Sequence, residues 1–200
     1  MKGLKIMKAK KGDIPRISYL HKTFIPTGFL SSLGRKFLYL LYKNLYFYKG
    51  AILLVAQYEG NVIGFISGVK DINKFFKYFY KKNILKIIPI LFLRVFRFKV
   101  LKGVIELVFY PRKHFLCDLP RSELLGIVVE KKYHGKGVAT KLMNQLKKEF
   151  KRMKCKKFKV VVGSRLKQAI LFYEKSGFKR IGQIQIHKGI MSYIFVNENR

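Results

Sequence analysis

The sequence predicts an α/β fold, and three observations carry that prediction. Apolar, β-branched runs alternate with segments whose hydrophobic residues recur at helical spacing. One such run, Glu123 to Val129, leads into a glycine-rich turn that opens an amphipathic helix. Half of the 200 residues are hydrophobic and 15% are aromatic. That is enough for the core of one α/β domain, alone or with an insertion, and it excludes a disordered chain.

Leu4 to Ala9 reads as a first strand. Gly12-Asp13-Ile14-Pro15 then starts a helix to about Lys22, with Asp13 as N-cap and Pro15 in the first turn. Leu33, Phe37, Leu40 and Leu41 place a second helix over roughly Leu30 to Leu45. Ala51 to Gln57 and Val62 to Val69 form a hairpin around Tyr58-Glu59-Gly60-Asn61. Asp71 to Arg121 fits no compact α/β unit, being dense in aromatic, aliphatic and basic residues. Its few turn signals predict two or three helices broken near Asn83, Pro89 and Gly103, inserted between the third and fourth strands. Regular order then returns with a strand at Glu123 to Val129 and a helix at Gly135 to Arg152. Val138, Leu142, Leu146 and Phe150 share one face of that helix. A strand at Phe158 to Val162 and a helix at Lys167 to Ser176 follow, the helix stopped by Gly177 at C′. Phe178 to Ile186 and Ile190 to Val196 make a last hairpin turning at His187-Lys188-Gly189. No repeat or low-complexity linker divides the chain, so residues 1–200 read as one domain.

Forty-three Lys and Arg face ten Asp and Glu, a net charge of +33. An AT-rich genome inflates Lys but does not remove carboxylates, and thermophilic adaptation enriches Glu alongside Lys. Either the field serves a polyanionic partner such as nucleic acid or acidic lipid, or it reflects compositional drift and solubility. Met1 to Lys11 lacks the apolar segment of a secretory signal, and Cys117 and Cys155 read as buried small hydrophobes in a reducing cytoplasm. The longest apolar run, Ile87 to Leu93, contains Pro89 and falls well below the ~20 residues of a spanning helix. The expected location is cytoplasmic, with a peripheral position at the inner face of the membrane as the variant.

The strand, the turn His134-Gly135-Lys136-Gly137 and the helix behind it aim backbone N–H groups and a positive helix end at one small volume. Such a volume suits a pyrophosphate. Glycine at 135 and 137 lets the backbone turn tightly and approach phosphate oxygens, and Lys136 adds charge. Downstream stands L-F-Y-E-K-S-G-F, Leu171 to Phe178. Together these segments resemble the acyl-CoA site of the GNAT (Gcn5-related N-acetyltransferase) superfamily. The resemblance covers Ser122 to about Phe178, and the first seventy residues only in element order.

The resemblance implies a mixed, centrally splayed β-sheet flanked by helices, acetyl-CoA as co-substrate, no metal, and acetyl transfer to a primary amine by direct attack. It implies that the backbone of Ile127, Val128 and Val129 pairs with pantetheine amides. His134, Gly135, Lys136, Gly137, Val138, Ala139 and Thr140 would cradle the phosphates, with Phe172 nearby. The family's pattern has Gln or Arg, then Gly, then Gly or Ala, where this chain has His134, Gly137 and Ala139. His replaces the first residue, and its other reading is a loop residue serving turn geometry alone.

Glu123 stands eleven residues before His134, the spacing of the catalytic glutamate in Gcn5-type members. A protonated acceptor amine must lose a proton before attack, which a carboxylate can accept directly or through water. The competing reading is a structural ion pair. Tyr173 occupies the place of the tyrosine that protonates the departing thiolate, and its alternative is a half-buried packing residue. Leu166 stands seven residues before it, where many members carry Asn, which puts that residue's cofactor contact in doubt.

The acceptor is expected to be an amino sugar, a nucleotide-linked amine or a protein amine, since so basic a cleft disfavours free polyamines. The rival is a non-catalytic acyl-CoA-binding or basic membrane- or RNA-binding module on the same fold. RNA is the weaker partner, because no nucleic-acid-binding motif is visible. The insertion interleaves Lys74, Lys77, Lys81 and Lys82 with Phe75, Phe76, Tyr78, Phe79 and Tyr80, and further on Arg94, Arg97 and Lys99 with Leu93, Val95, Phe96 and Phe98. It suits either an anionic membrane surface, or a roof over the acceptor cleft or a homodimer seam.

Overall fold

The computed structural model describes residues 1–26, 28–95, 119–187 and 190–198. Seven strands form one sheet: β1 Lys5–Lys8, β2 Ala51–Tyr58, β3 Asn61–Val69, β4 Glu123–Val129, β5 Lys157–Gly163, β6 Lys179–His187 and β7 Ile190–Glu198. Their order is β1-β2-β3-β4-β5-β7-β6. Every neighbouring pair is antiparallel except β4 and β5. Among the described residues the helices are α1 Ile14–Phe24, α2 Phe29–Ser32, α3 Gly34–Phe47, α4 Ile72–Val95, α5 Val138–Arg152 and α6 Lys167–Lys175.

Both faces of the sheet are covered, which is why β2 is apolar from Ala51 to Ala56 rather than alternating with polar residues. Leu53 and Val55 join Phe65 and Val128 in packing against Ile17, Leu38 and Leu41 of α1 and α3 and Phe75 and Phe79 of α4. Ile52, Leu54, Ile66 and Leu124 face the other way, onto Leu142, Leu146 and Phe150 of α5. The predicted stripe of α5 is buried as expected, joined by Met143 and Glu149.

The sheet is splayed at its centre. β4 and β5 are registered at a single pair, Glu123 opposite Lys159, where Lys159 N–H bonds Ser122 O at 2.9 Å. The mixed sheet and flanking helices match the predicted fold.

Local expectations needed correction. The second helix is two: α2 ends at Ser32, and α3 starts anew at Gly34, whose φ of +83° breaks the helical run. Asp13 does not cap α1 with its side chain; its carboxylate instead accepts Lys10 N–H at 2.7 Å, closing the short 3-10 turn Lys11–Asp13. The insertion does not break at Asn83 or Pro89, and α4 runs through both. Asn83 turns its amide back onto Phe79 O at 2.8 Å and so supports the helix it was expected to end. Pro89 removes one backbone donor, but Leu85, whose carbonyl loses it, is largely exposed, so water can replace the lost bond. Gly103, Cys117 and the segment 96–118 lie outside the described residues, as do Lys188 and Gly189 of the last turn.

Candidate active site

Beside the splay, β4 carries a bulge against β3. Ser67 pairs with Gly126 and Gly68 with Leu124, which leaves Leu125 as an extra residue on β4. The bulge shifts the alternation of the strand. Before it, Ser122 O faces β5; after it, Glu130 N–H bonds Ile63 O on the β3 side. Counting back by two, Gly126 and Val128 also face β3, and Ile127 and Val129 direct their peptide groups into the gap. Of the three residues expected to pair with pantetheine, the backbone of Val128 is therefore committed to the sheet.

At the end of β4 the chain makes a 3-10 turn, Lys131–Tyr133, and enters the glycine turn. Gly135 (φ +73°) and Gly137 (φ +75°) both adopt the left-handed conformation, and nothing lies within 4 Å of where a Cβ would stand on either. The constraint there is backbone shape, not crowding. His134 Nε2 lies 2.9 Å from Val129 O. A carbonyl only accepts, so Nε2 carries the proton and the ring straps the turn to the strand end. That gives His134 a specific part in turn geometry. It also occupies Val129 O, so Ile127 N–H, Ile127 C=O and Val129 N–H are the groups facing the gap.

The first turn of α5, Val138 to Lys141, presents N–H groups that have no acceptor within the helix apart from the closing bond of Lys141 N–H to Gly137 O. Val138 anchors this turn by burying its side chain, whereas Ala139 is half-buried and Thr140 exposed. Lys131, Lys132, Lys136 and Lys141 are exposed around it. The ammonium groups of Lys132 and Lys136 lie 5.0 and 5.5 Å from the Tyr133 ring centre, so that ring holds two cations beside the turn. Glu130, four residues before His134, is taken up by Arg16 and by Lys132 at 3.8 Å. The turn is thereby left electropositive. Open strand edge, glycine cradle and cationic rim together fit the amides and phosphates of an acyl-CoA.

Glu123 sits where the splay begins, and the structure places it in an ion pair. Lys159 Nζ lies 3.3 Å from Glu123 Oε2, with the two side chains 1% and 5% exposed. The same ammonium donates to Pro120 O. Lys159 was missed in the sequence. Its signal was a lone cation inside the apolar strand F-K-V-V-V, since a buried cation in a chain with ten carboxylates must find one of them.

Tyr173 is buried, with ring centres of Phe172, Phe178 and Phe195 at 5.6, 5.4 and 6.4 Å. Burial pushes its phenol well above the ordinary range, so it keeps its proton at any physiological pH. Tyr173 O also accepts Phe178 N–H, and Glu174 O accepts Gly177 N–H, which together close a Schellman cap on α6. Leu166, in the place of the family's Asn, is half exposed at the start of α6. Cys155 is buried as expected. Among the described residues no group of three or more His, Cys, Asp or Glu is placed to hold a metal.

A sheet opened between two parallel strands over a glycine-turned helix start defines an acyl-CoA-dependent acyltransferase. The chain belongs to the Acetyltransferase (GNAT) family, which it matches over residues 20–178. Solved structures of the same fold include an N-acetyltransferase from Staphylococcus aureus Mu50, with TM-score 0.65 and 13% identity over 98% of this chain and 99% of that one. YncA from Salmonella typhimurium, solved with its cofactor acetyl-CoA, superposes with TM-score 0.62 at 14% identity, covering 100% and 95%. The PaiA N-acetyltransferase from Thermoplasma acidophilum in complex with coenzyme A gives 0.61 at 13%, covering 98% of each chain. No curated protein sequence matches the chain significantly.

Proposed function

We propose that this acetyltransferase moves an acetyl group from acetyl-CoA to a primary amine on an anionic acceptor, by direct attack and with no acetylated side chain. The observation that carries the reading is the splay, with Ile127 and Val129 turned into it beside the cradle of Gly135 to Thr140. Acetyl-CoA supplies the activated acyl group. Ile127 and Val129 hold its pantetheine arm by strand addition, and His134, Lys136, Gly137 and the first turn of α5 hold its phosphates. Phe172 packs beside the arm. Tyr173, protonated by burial, serves as the proton donor to the leaving sulfur.

Glu123 takes the acceptor's proton, directly or through one water, from its place on the sheet face covered by α1, α3 and α4. Its ion pair with Lys159 favours a second reading of that residue, as a clasp that holds the strands together where they begin to diverge. A rate that loses its acidic limb in Glu123→Gln identifies the base, and an unchanged pH profile identifies the clasp.

The electropositive surround favours an amino sugar carrying phosphate or carboxylate, a nucleotide-linked amine, or an acidic protein terminus. CoA release measured across a panel of such amines and polyamines tests this choice. Polyamines as the best acceptors would defeat it. The location that goes with this reading is cytoplasmic, with a peripheral position at the inner face of the membrane as the variant that the charge favours.

A further inference from the structure

We propose that the outer face of α4 docks this protein on an anionic lipid surface, with the second half of the helix entering the headgroup layer. One side of α4 is buried through Phe75, Phe76, Phe79 and Ile87, packed toward α3. The opposite side changes character along its length. Lys74, Lys77 and Lys81 share the outward stripe in the first half, all exposed. One helical turn further the same stripe becomes aliphatic. Ile84, Leu85 and Ile88 are 49%, 83% and 53% exposed. A polar helix face that exposes a leucine this fully has a stripe of the wrong chemistry for water alone.

Charge supplies the complement. Neither α3 nor α4 contains an Asp or Glu, although the lysine-rich outward stripe of α4 could have held several i,i+4 pairs. Of the nine cations in those two helices five are lysines of α4, the other four being Arg94 of α4 and Arg35, Lys36 and Lys43 of α3. The neighbouring α3, joined to α4 through Phe37 on Phe79 at 5.8 Å, exposes Tyr39 and Tyr46 on its own outer side. Tyrosines beside lysines are what a headgroup layer accommodates, because each has an apolar body and a polar tip.

Depth follows from the backbone. Pro89 has no N–H, so Leu85 C=O lacks the usual donor four residues on. That carbonyl needs water or a headgroup, which sets α4 at the interface and not across the hydrocarbon. No described helix is long and apolar enough to cross a membrane. Lysines first and aliphatics last describe an oblique approach in which Ile84, Leu85 and Ile88 enter deepest.

The chain contains no Trp, so Leu85→Trp introduces a unique probe. With vesicles of phosphatidylglycerol and phosphatidylcholine at low salt, its emission should shift to the blue; with phosphatidylcholine alone it should not. Full-length protein should float with the anionic vesicles. Leu85→Glu with Ile88→Glu should lower vesicle binding by about tenfold or more. A lysine beside an acidic leaflet contributes roughly fivefold, so Lys74→Glu, Lys77→Glu and Lys81→Glu together should cost at least about 10²-fold. The exposed, distant Lys148→Glu, Lys175→Glu and Lys179→Glu remove equal charge and should change binding by less than about threefold.

Protein that stays at the bottom of the gradient overturns the proposal. So does equal loss from the distant triple, which would assign binding to net charge alone. If Leu85→Trp is already blue-shifted without vesicles and Leu85→Glu lowers Tm, another part of the chain covers the stripe. If Leu85→Glu converts a dimer to a monomer with flotation unchanged, a second copy covers it. Either result refutes the lipid assignment.

Discussion

Removing one partner of the Glu123–Lys159 pair should be far more damaging than removing both. At 3.3 Å the attraction between the two charges is about 5 kcal/mol with an effective dielectric constant near 20. Burial to 5% and 1% exposure has already stripped both groups of water, and that desolvation offsets most of the attraction. Lys159→Met removes the attraction and leaves the carboxylate buried, so it should lower unfolding stability by about 3–5 kcal/mol. Glu123→Gln keeps the shape and part of the hydrogen bonding, and should cost less, about 2–3 kcal/mol. The double variant, Glu123→Gln with Lys159→Met, should return to within about 1–2 kcal/mol of wild type. Urea unfolding by circular dichroism measures all three, with the m-value checked for constancy. A Lys159→Met cost below about 1 kcal/mol, or additive single costs, would show that the pair is not held as described. An acetyl-CoA titration on the same variants adds the functional half. If the pair clasps the splay, cofactor affinity falls with stability in both single variants and recovers in the double.

Tyr173→Phe keeps the ring packing and the helix cap but deletes the phenol, so turnover should fall about 10²-fold with cofactor affinity nearly intact; steady-state kinetics with unchanged turnover would remove it from the reaction. Gly137→Ala meets open space at φ +75°, so it should cost only the left-handed strain of about 1–2 kcal/mol while weakening acetyl-CoA binding in calorimetry. Stability should depend on pH through His21, which burial, aided by the nearby Lys22, holds at about 4 from 6.5. Its folded pKa is the depressed one, so the unfolded chain binds the proton first. Stability should be full above about 6.5 and fall by about 3 kcal/mol as pH drops to about 4. His21→Phe should flatten that segment in urea titrations, and an unflattened profile would assign the loss to other groups.

The strand-turn-helix at Glu123 to Arg152 and the stop at Gly177 were legible because each rests on local rules: an apolar run, glycines where φ must be positive, a period of 3.6. The pairing that makes the cleft was not. Lys159 lies thirty-six residues beyond Glu123, and only the sheet brings them together. Likewise the bulge at Leu125 is marked in E-L-L-G-I-V-V only by the isolated Gly126, which does not tell which peptide groups face the gap. The insertion was misjudged for a different reason. Asn83 and Pro89 carry real helix-ending chemistry, and packing of Phe75, Phe76 and Phe79 against the rest of the core overrode it. His134, a departure from the family's Gln or Arg, became intelligible only when its ring was seen strapping the turn to Val129.

The position of β7 has a consequence for how this molecule is made. β5 and β6 touch only through β7, which comes later in the chain than both. During synthesis, then, β5 joins the growing sheet with one edge bare, and β6 waits with no neighbour at all. The wall of the cleft that carries β5 is finished last, after α5 and α6 have already formed from local contacts. A nascent protein paused before Ile190 would carry the finished glycine turn and α5 on half a sheet. Its hazard in that interval is the exposed rim of β5, where a stray strand from another chain could take the seat reserved for β7.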